Sequence, residues 1–180
     1  MKEIRLLLVS FLVVCFSTTN VIASEESGNN SVIDQTYPQA QAEVIETFLA
    51  IRQSIMDGAG LGKNSEYMDQ LISFHAYGPK FTEFNNGALW NSAENEEHER
   101  TLFGEIVDLG GVETFWFQPG SLNVAVYYGN VANLTFISDF ELWIDGELLP
   151  VVNLITLLFV KTKGEWKMVH EHHSPANVPE

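Results

Sequence analysis

The chain has 180 residues, a formal net charge of −15 at pH 7, and 46% hydrophobic residues. This length fits one domain, and this share of apolar side chains can form a core without disulfide bonds. Phosphate backbones and anionic lipid surfaces repel so acidic a chain, so we predict no nucleic-acid partner and no membrane-surface partner. The sequence has no glycine-rich phosphate loop, which disfavours a nucleotide enzyme.

The N-terminus has the layout of a secretory signal peptide, predicted at residues 1–23. Lys2 and Arg5 precede an apolar run at residues 6–16, which is too short for a membrane span. Cleavage after Ala23 would export the protein, secreted or periplasmic, and would remove its only cysteine, Cys15. The mature chain is therefore predicted to have no disulfide and no thiol chemistry. An uncleaved anchor and a lipoprotein attached at Cys15 are the alternatives.

Three helices are predicted in the first half of the chain. Apolar residues recur at three- and four-residue spacing from Pro38 to Asp57, and the following glycine can end that helix. Asn64 or Ser65 can cap a second helix that ends near His75. A charged third helix runs roughly over residues 93–107. A solvated face without chemistry is predicted for six of its residues, Glu94, Glu96, Glu97, His98, Glu99 and Arg100.

The second half of the chain alternates with the period of strands. A short strand is predicted at residues 80–84, and later ones at 112–118, 122–131, 134–144, 148–161 and 166–174. Asp145 and Gly146 form a strong hairpin signal. Helices followed by an antiparallel meander of five or six strands indicate one α+β domain, residues 37–177, after a flexible leader at 24–36.

The last predicted strand has the side chains best suited to chemistry. With period-two alternation, Trp166, Met168, His170, His172 and Ser174 share one face. A row that begins apolar and ends polar suits a strand that leads from a packed core to the mouth of a pocket. The sequence therefore predicts a site at the polar end of this row.

The C-terminal hairpin carries a resemblance to a known family. Residues 157–174, Leu-Leu-Phe-Val-Lys-Thr-Lys-Gly-Glu-Trp-Lys-Met-Val-His-Glu-His-His-Ser, resemble the end of SnoaL-like proteins of the nuclear transport factor 2-like superfamily. Members often close on a strand of the pattern G-x-W-K-hydrophobic-x-H-x-H-x-S. Residues 73–84 are similar to the segment after the second helix in exported members, and the resemblance spans roughly residues 38–175. It implies a cone, in which a strongly bent antiparallel sheet wraps around helices and leaves a pocket at its open end.

The resemblance leaves the activity open, because members include isomerases, polyketide cyclases, dehydratases and non-catalytic binding or assembly domains. His170 or His172 could act as a general base, assisted by Asp139 or Tyr77. The same two histidines could form a metal pair with His75 or Asp139 as a third ligand, or hydrogen-bond within a pocket wall. We assign no metal site and predict no cofactor.

Three hypotheses about function follow. The first is a small-ligand binding domain that dimerises through the outer face of its sheet, and the second is an isomerase, cyclase or dehydratase with a histidine base. The third is a structural subunit of a larger assembly. Aromatic residues and the helix-end histidine are predicted to line the pocket for a small, largely apolar molecule. These predicted ligand contacts are His75, Tyr77, Phe81, Trp90, Trp116 and Tyr128.

Overall fold

The computed structural model describes residues 36–58 and 61–176, and of residues 107–109 only the backbone. The predicted signal peptide at 1–23 and all but the last residue of the predicted leader lie outside the described residues. The described residues fall within one compact unit of the chain. In them, none of the helices combines the length and the apolar character needed to cross a membrane.

Three helices form where capping residues and apolar spacing predict them. Helix α1 is Pro38–Gly58, α2 is Glu66–Ser73 and α3 is Ser92–Leu109. The hydroxyl of Ser65 accepts a backbone N–H from the first turn of α2 at 3.0 Å, and the side-chain oxygen of Asn91 accepts two from the first turn of α3. Each cap satisfies N–H groups that have no partner inside the helix. The predicted helices are confirmed, with ends that differ by two residues or fewer.

Eight strands form one mixed, unclosed sheet among the described residues. The order across the sheet is β2-β1-β8-β7-β5-β3, and β4 and β6 also pair with β5. Every pair is antiparallel except β1 with β8, which is parallel. The strands are β1 Thr82–Asn85, β2 Ala88–Trp90, β3 Gly110–Phe117, β4 Asn123–Tyr127, β5 Val131–Ile144, β6 Glu147–Val151, β7 Asn153–Thr162 and β8 Glu165–Pro175. The α+β class is confirmed, whereas the predicted sheet lacked β2 and the parallel pairing of β1 with β8.

The long strand β5 exchanges its partners at Ser138. Its first half lies between β4 and β7, and its second half lies between β3 and β6. Ser138 is buried, and its hydroxyl donates to the carbonyl of Val151 at 3.2 Å and accepts the N–H of Asn153 at 2.8 Å. These bonds satisfy the backbone where β6 ends and β7 begins, so the predicted single strand at 148–161 is two strands.

The core lies between the inner face of the sheet and the helices. Helix α1 packs against β3 and β4, and α3 packs against β3 and β5. The ring of Phe48 in α1 lies 5.1 Å from that of Phe136 in an edge-to-face contact, and Phe103 in α3 lies 6.3 Å from Phe140. Aromatic burial of this kind contributes much of the hydrophobic stabilisation of a small domain.

The substitution Ser138→Ala is expected to lower the free energy of unfolding by about 1 to 3 kcal/mol, because it leaves buried backbone groups without a partner. Urea denaturation measures this change. Ser73→Ala is the matched control, since the Ser73 hydroxyl bonds to a carbonyl of its own helix end in an exposed position. The control is expected to cost less than about 0.5 kcal/mol. Equal losses in the two variants would contradict the role of Ser138.

Candidate active site

A β-bulge in β8 reverses the facing of its side chains. Leu158 in β7 pairs with His170 and Phe159 pairs with Met168, so Val169 is an extra residue in β8. One extra residue moves all later side chains of a strand to the opposite face. Trp166 and Met168, before the bulge, are buried against the core, whereas Glu171 and His173 replace the predicted histidines on the inner face after it.

His170 and His172 consequently lie on the outer face of the sheet. The ring of Phe84, itself 48% exposed, contacts both of them at centroid distances of 5.5 and 6.3 Å. The Nδ1 atom of His170 lies 3.0 Å from the hydroxyl and from the carbonyl of Thr82. The prediction that both histidines share a face with Trp166 is wrong, because one uninterrupted alternation was assumed for the whole strand. Their assignment as catalytic residues depended on that shared face with Trp166, which the structure does not have.

The parallel pairing of β1 with β8 places further polar side chains beside this inner row. Glu83 lies opposite Glu171, and Asn85 lies opposite His173. Glu83 and Asn85 are both buried, with exposed fractions of 0% and 8%. The sequence analysis predicted the strand β1 but did not assign Glu83 to a site. Alternation from Phe81 onward was a usable signal, because it places Glu83 on the buried face.

Helices α2 and α3 complete the group. His75 lies two residues after the last residue of α2 and is joined to Met168 of β8 by a parallel bridge. Asn95 and Glu99, four residues apart on α3, face inward and are 0% and 8% exposed. The prediction of a solvated face is therefore wrong at Glu99, and Asn95 was not considered. We refer to the five titratable residues brought together here, His75, Glu83, Glu99, Glu171 and His173, as the inner cluster.

Glu171 is the centre of the inner cluster. One of its carboxylate oxygens lies 2.7 Å from Nε2 of His75, in an ion pair whose angle is not that of a linear hydrogen bond. The other lies 3.4 Å from Nε2 of His173. Nδ1 of His75 lies 3.1 Å from the carbonyl of Leu71, and a carbonyl only accepts, so Nδ1 carries a proton. A second proton is needed between His75 and Glu171, which makes the pair an imidazolium and a carboxylate.

Burial and charge act in opposite directions on these three groups. Burial is the largest single influence on the pKa of His75 and would lower it, but the charge and hydrogen bond of Glu171, with smaller contributions from Glu99 and the Ile72 carbonyl, together raise it. Burial would also lower the pKa of His173, and its contact with Glu171 again raises it. For Glu171, burial would raise the pKa, yet the two imidazoles hold it well below its ordinary value.

Glu83 accepts hydrogen bonds on both of its carboxyl oxygens. The amide of Asn85 donates to one at 3.0 Å, and the amide of Asn95 donates to the other at 2.5 Å. Asn95 in turn accepts a short hydrogen bond from the hydroxyl of Tyr77. Burial and the neighbouring charge of Glu171 raise the pKa of Glu83, and His173 and the two amides partly oppose them.

Glu99 differs from the other two carboxyls because no described residue forms a hydrogen bond or an ion pair with it. Burial raises its pKa well above the ordinary value of 4.5, and the charges of Glu171 and Glu83 raise it further. The opposing charge of His75 is too weak to restore it. Burial without a partner therefore favours the uncharged form of Glu99, whereas the two imidazoles favour the ionised form of Glu171, which is also buried.

Aromatic rings cover one side of the inner cluster. The ring of Tyr77 stacks on that of His75 at 4.9 Å, and Phe81 meets both rings edge-to-face at 5.0 and 5.7 Å. Burial, and after it the surrounding glutamates, raise the pKa of Tyr77, so its phenol is neutral. The structure thus brings together three of the predicted ligand contacts, His75, Tyr77 and Phe81.

An open cleft of about 540 Å³ lies between β2 and α3. Its walls include the rings of Trp90 and His98, whose centroids are 3.9 Å apart and whose planes are tilted by 40°. Burial and the charge of His173 lower the pKa of His98 to about 4, although Glu171 opposes them. The cleft is lined by Trp90, Ala93, Glu94, Glu97, His98 and Thr101.

Three other predicted site residues lie elsewhere. Asp139 is exposed, because the odd-numbered residues of β5 face outward. Tyr128 is 85% exposed in the turn between β4 and β5. Their prediction as pocket residues is wrong, since each faces solvent. Trp116 lies in β3 at the opposite end of the strand order from β1, under the guanidinium of Arg52 at 4.6 Å.

Metal ligation was an alternative for the histidines. Over residues 36–58 and 61–176, no group of three or more histidine, cysteine, aspartate or glutamate side chains is placed to hold a metal ion. The contacts within the inner cluster join histidine imidazoles to a glutamate carboxylate.

The variant Glu99→Gln is expected to gain stability relative to the wild type as the pH rises. Above pH 4.5 the unfolded chain loses the Glu99 proton while the folded chain retains it, so wild-type stability falls by about 1.4 kcal/mol per pH unit from this group. A neutral amide removes that dependence. Urea denaturation at pH 5 and pH 7 measures the difference between variant and wild type, which should be larger at pH 7.

Glu97→Gln, on the exposed side of the same helix, is the control and should change the free energy of unfolding by less than about 0.5 kcal/mol at either pH. An equal effect of Glu99→Gln at the two pH values would contradict the assignment, because Glu99 would then ionise in the folded chain as it does in the unfolded one.

Comparison with solved structures identifies the fold. A protein from Streptomyces avermitilis, described provisionally as a dehydratase of the nuclear transport factor 2-like family, has a TM-score of 0.62 at 16% identity, over 79% of this chain and 100% of that one. The CamKII hub homology domain of Chlamydamonas reinhardtii has a TM-score of 0.58 at 18% identity, over 77% and 99%. A protein from Novosphingobium aromaticivorans, described provisionally as a scytalone dehydratase, has 0.60 at 8%, over 75% and 83%.

Identities this low show the fold alone, which is that of nuclear transport factor 2-like proteins. No curated protein matches the sequence. The family model of the SnoaL-like domain matches residues 64–178, which is more than half of the chain and includes the whole inner cluster. The chain therefore belongs to the SnoaL-like domain family.

Proposed function

We propose that this SnoaL-like domain is an acid–base enzyme of the isomerase, cyclase or dehydratase type, with the inner cluster as its active site. The observation that carries the proposal is the contrast between two buried carboxyls. Contact with two imidazoles favours the carboxylate form of Glu171, whereas Glu99 is buried without a partner, which raises its pKa and favours its uncharged form. Groups whose environments drive their pKa values apart are typical of sites that both accept and donate protons.

His173 is the group best placed to accept a proton. Its Nε2 faces Glu171 at 3.4 Å, so its Nδ1 is the nitrogen that can reach a substrate, and no described residue pairs with Nδ1. The side chain of His173 is 23% exposed, against 1% for His75. Glu171 orients the His173 ring and increases its basicity, as a carboxylate does behind a catalytic histidine. His75 holds Glu171 in place from the other side.

Glu99 is the group best placed to donate a proton. An uncharged carboxylic acid can give its proton to a carbonyl or hydroxyl oxygen, and burial strengthens that interaction. The hydroxyl proton of Tyr77 is already given to Asn95, so Tyr77 retains only its oxygen as an acceptor. Glu99 and His173 together supply one donor and one acceptor.

Such a pair can catalyse the loss of water from a β-hydroxy carbonyl compound. His173 takes the proton of a C–H bond, and the electron pair of that bond forms a C=C bond. The C–O bond breaks, and the leaving hydroxide takes the Glu99 proton and departs as water. The same two groups support enolisation alone, in which Glu99 protonates the carbonyl oxygen. The fold shared with proteins described provisionally as dehydratases is consistent with this chemistry and does not establish it, because fold alone does not fix function.

The proposal predicts that His173→Gln abolishes base catalysis by this protein. The measurement is α-proton exchange of 2-tetralone in D₂O, followed by ¹H NMR with wild-type protein and with variants. His173→Gln is expected to lower the exchange rate by about 100-fold or more, since loss of a positioned base typically has that effect. His172→Gln is the matched control, being the same substitution one residue away on the exposed outer face, and should leave the rate unchanged.

Loss of exchange in His172→Gln with retention in His173→Gln would contradict the proposed site. Absence of exchange by the wild-type protein above the buffer rate would contradict enolising activity on this ketone and favour the binding-domain hypothesis.

A further inference from the structure

We propose that the cleft between β2 and α3 binds a small organic cation with an alkylated ammonium group. The inference is separate from the proposed function, because it concerns the cleft and not the inner cluster, and its test needs no turnover. Three features of the cleft support it: its volume, the indole ring in its wall, and the charge of the side chains that line it.

One side of α3 and the last residue of β2 form the cleft. Glu94, Glu97, His98 and Thr101 lie three or four residues apart, so they share one side of the helix. Trp90 ends β2 two residues before α3 begins, and its ring contacts that of His98 with a centroid distance of 3.9 Å. The volume of about 540 Å³ lies in the range of pockets that bind small molecules.

The lining of the cleft is negative. Glu94 and Glu97 are both exposed, and no lysine or arginine of the described residues lines the cleft. His98 does not offset them, because burial and the charge of His173 lower its pKa to about 4 and leave its ring neutral at pH 7. The net charge of the whole chain, −15, has the same sign. The cleft therefore attracts cations and repels anions.

Both carboxylates of the cleft have an oxygen left for a ligand. Oε2 of Glu94 accepts the backbone N–H of Asn91 at 2.9 Å, and Oε1 of Glu97 accepts the hydroxyl of Thr101 at 3.3 Å. The second oxygen of each has no hydrogen bond or ion pair from any residue that the structure describes. A cation in the cleft would meet two carboxylates without breaking an existing ion pair.

The ring of Trp90 favours one kind of cation. The face of an indole attracts a positive charge, and quaternary ammonium groups are the ligands that aromatic walls recognise best. A primary ammonium has three N–H donors that all need acceptors, whereas an alkylated ammonium presents its charge on an apolar surface. With two carboxylate oxygens and an aromatic wall, the cleft matches the alkylated ammonium. The sequence analysis predicted Trp90 as a contact of a largely apolar molecule, and the charge of the cleft favours a cation instead.

Choline and its uncharged analogue 3,3-dimethylbutan-1-ol test the proposal, because they have nearly the same shape and differ by one charge. Both are titrated into the full protein, and ¹H–¹⁵N NMR spectra follow the indole N–H of Trp90 and the backbone amides of α3. The indole signal is assigned with the variant Trp90→Phe. Choline is expected to bind about ten-fold more tightly than the alcohol, since the indole face and the carboxylates act on its charge. Equal affinities, or no saturable shift of these signals by choline, would overturn the proposal.

Two variants separate the effect of the carboxylate from that of the ring. Glu97→Gln removes one charge from the cleft and is expected to weaken choline binding about two- to three-fold, with no effect on the alcohol. Trp90→Leu keeps an apolar side chain without the indole face and is expected to weaken choline binding about three-fold or more. Unchanged choline affinity in both variants would place the binding site elsewhere and overturn the assignment of the cleft.

Glu147→Gln is the matched control for the charge. Glu147 is an exposed glutamate of β6 and does not line the cleft, so its substitution should leave the affinity for choline unchanged. Equal weakening by Glu97→Gln and Glu147→Gln would assign the effect to the net charge of the protein and would contradict a site in the cleft.

Discussion

The contact of Glu171 with His75 on one side and His173 on the other is the constraint on which the rest of the site depends. A buried carboxylate without counter-charges would be strongly destabilising, and the two imidazoles supply them from the end of α2 and from β8 itself. This contact exists only because the extra residue Val169 turns the second half of β8 around. With regular alternation, Glu171 would face solvent, and His170 and His172 would face the core.

The inner cluster also shows how a fold can tune similar groups to different charges. Glu83 and Glu171 are direct neighbours on parallel strands, and like charges so close oppose each other's ionisation. Imidazoles stabilise the charge of Glu171, and amide donors partly stabilise that of Glu83. Glu99 has neither kind of partner, so burial raises its pKa and favours its protonated form. The chemistry proposed here follows from that difference in partners and not from the residue type, which is glutamate in all three cases.

The sequence was sufficient for the helices, their caps, the α+β class and the family, because apolar spacing and local turn chemistry specify them. It also grouped His75, Tyr77 and Phe81, which lie in one short segment and whose rings pack together, while their role as ligand contacts stays a prediction. It failed at β8 because a bulge leaves no reliable mark in a single sequence. Without the extra residue, His170 and His172 were assigned to the inner face, where Glu171 and His173 lie. Glu99 was missed for another reason. Its neighbours at 94, 96 and 97 are also glutamates, and only the i, i+4 relation to Asn95 and Phe103 separates it from the solvated face.

The most direct test of this account is a ¹⁵N NMR titration of the histidine side chains in wild-type protein and in Glu171→Gln. The account predicts that His75 and His173 both titrate above their ordinary value of 6.5 in the wild type, because Glu171 raises both pKa values against the effect of burial. In Glu171→Gln both should titrate below it, since burial alone lowers the pKa of an imidazole. If either histidine titrated below 6.5 in the wild type, or if the substitution moved neither, the central place of Glu171 would be contradicted.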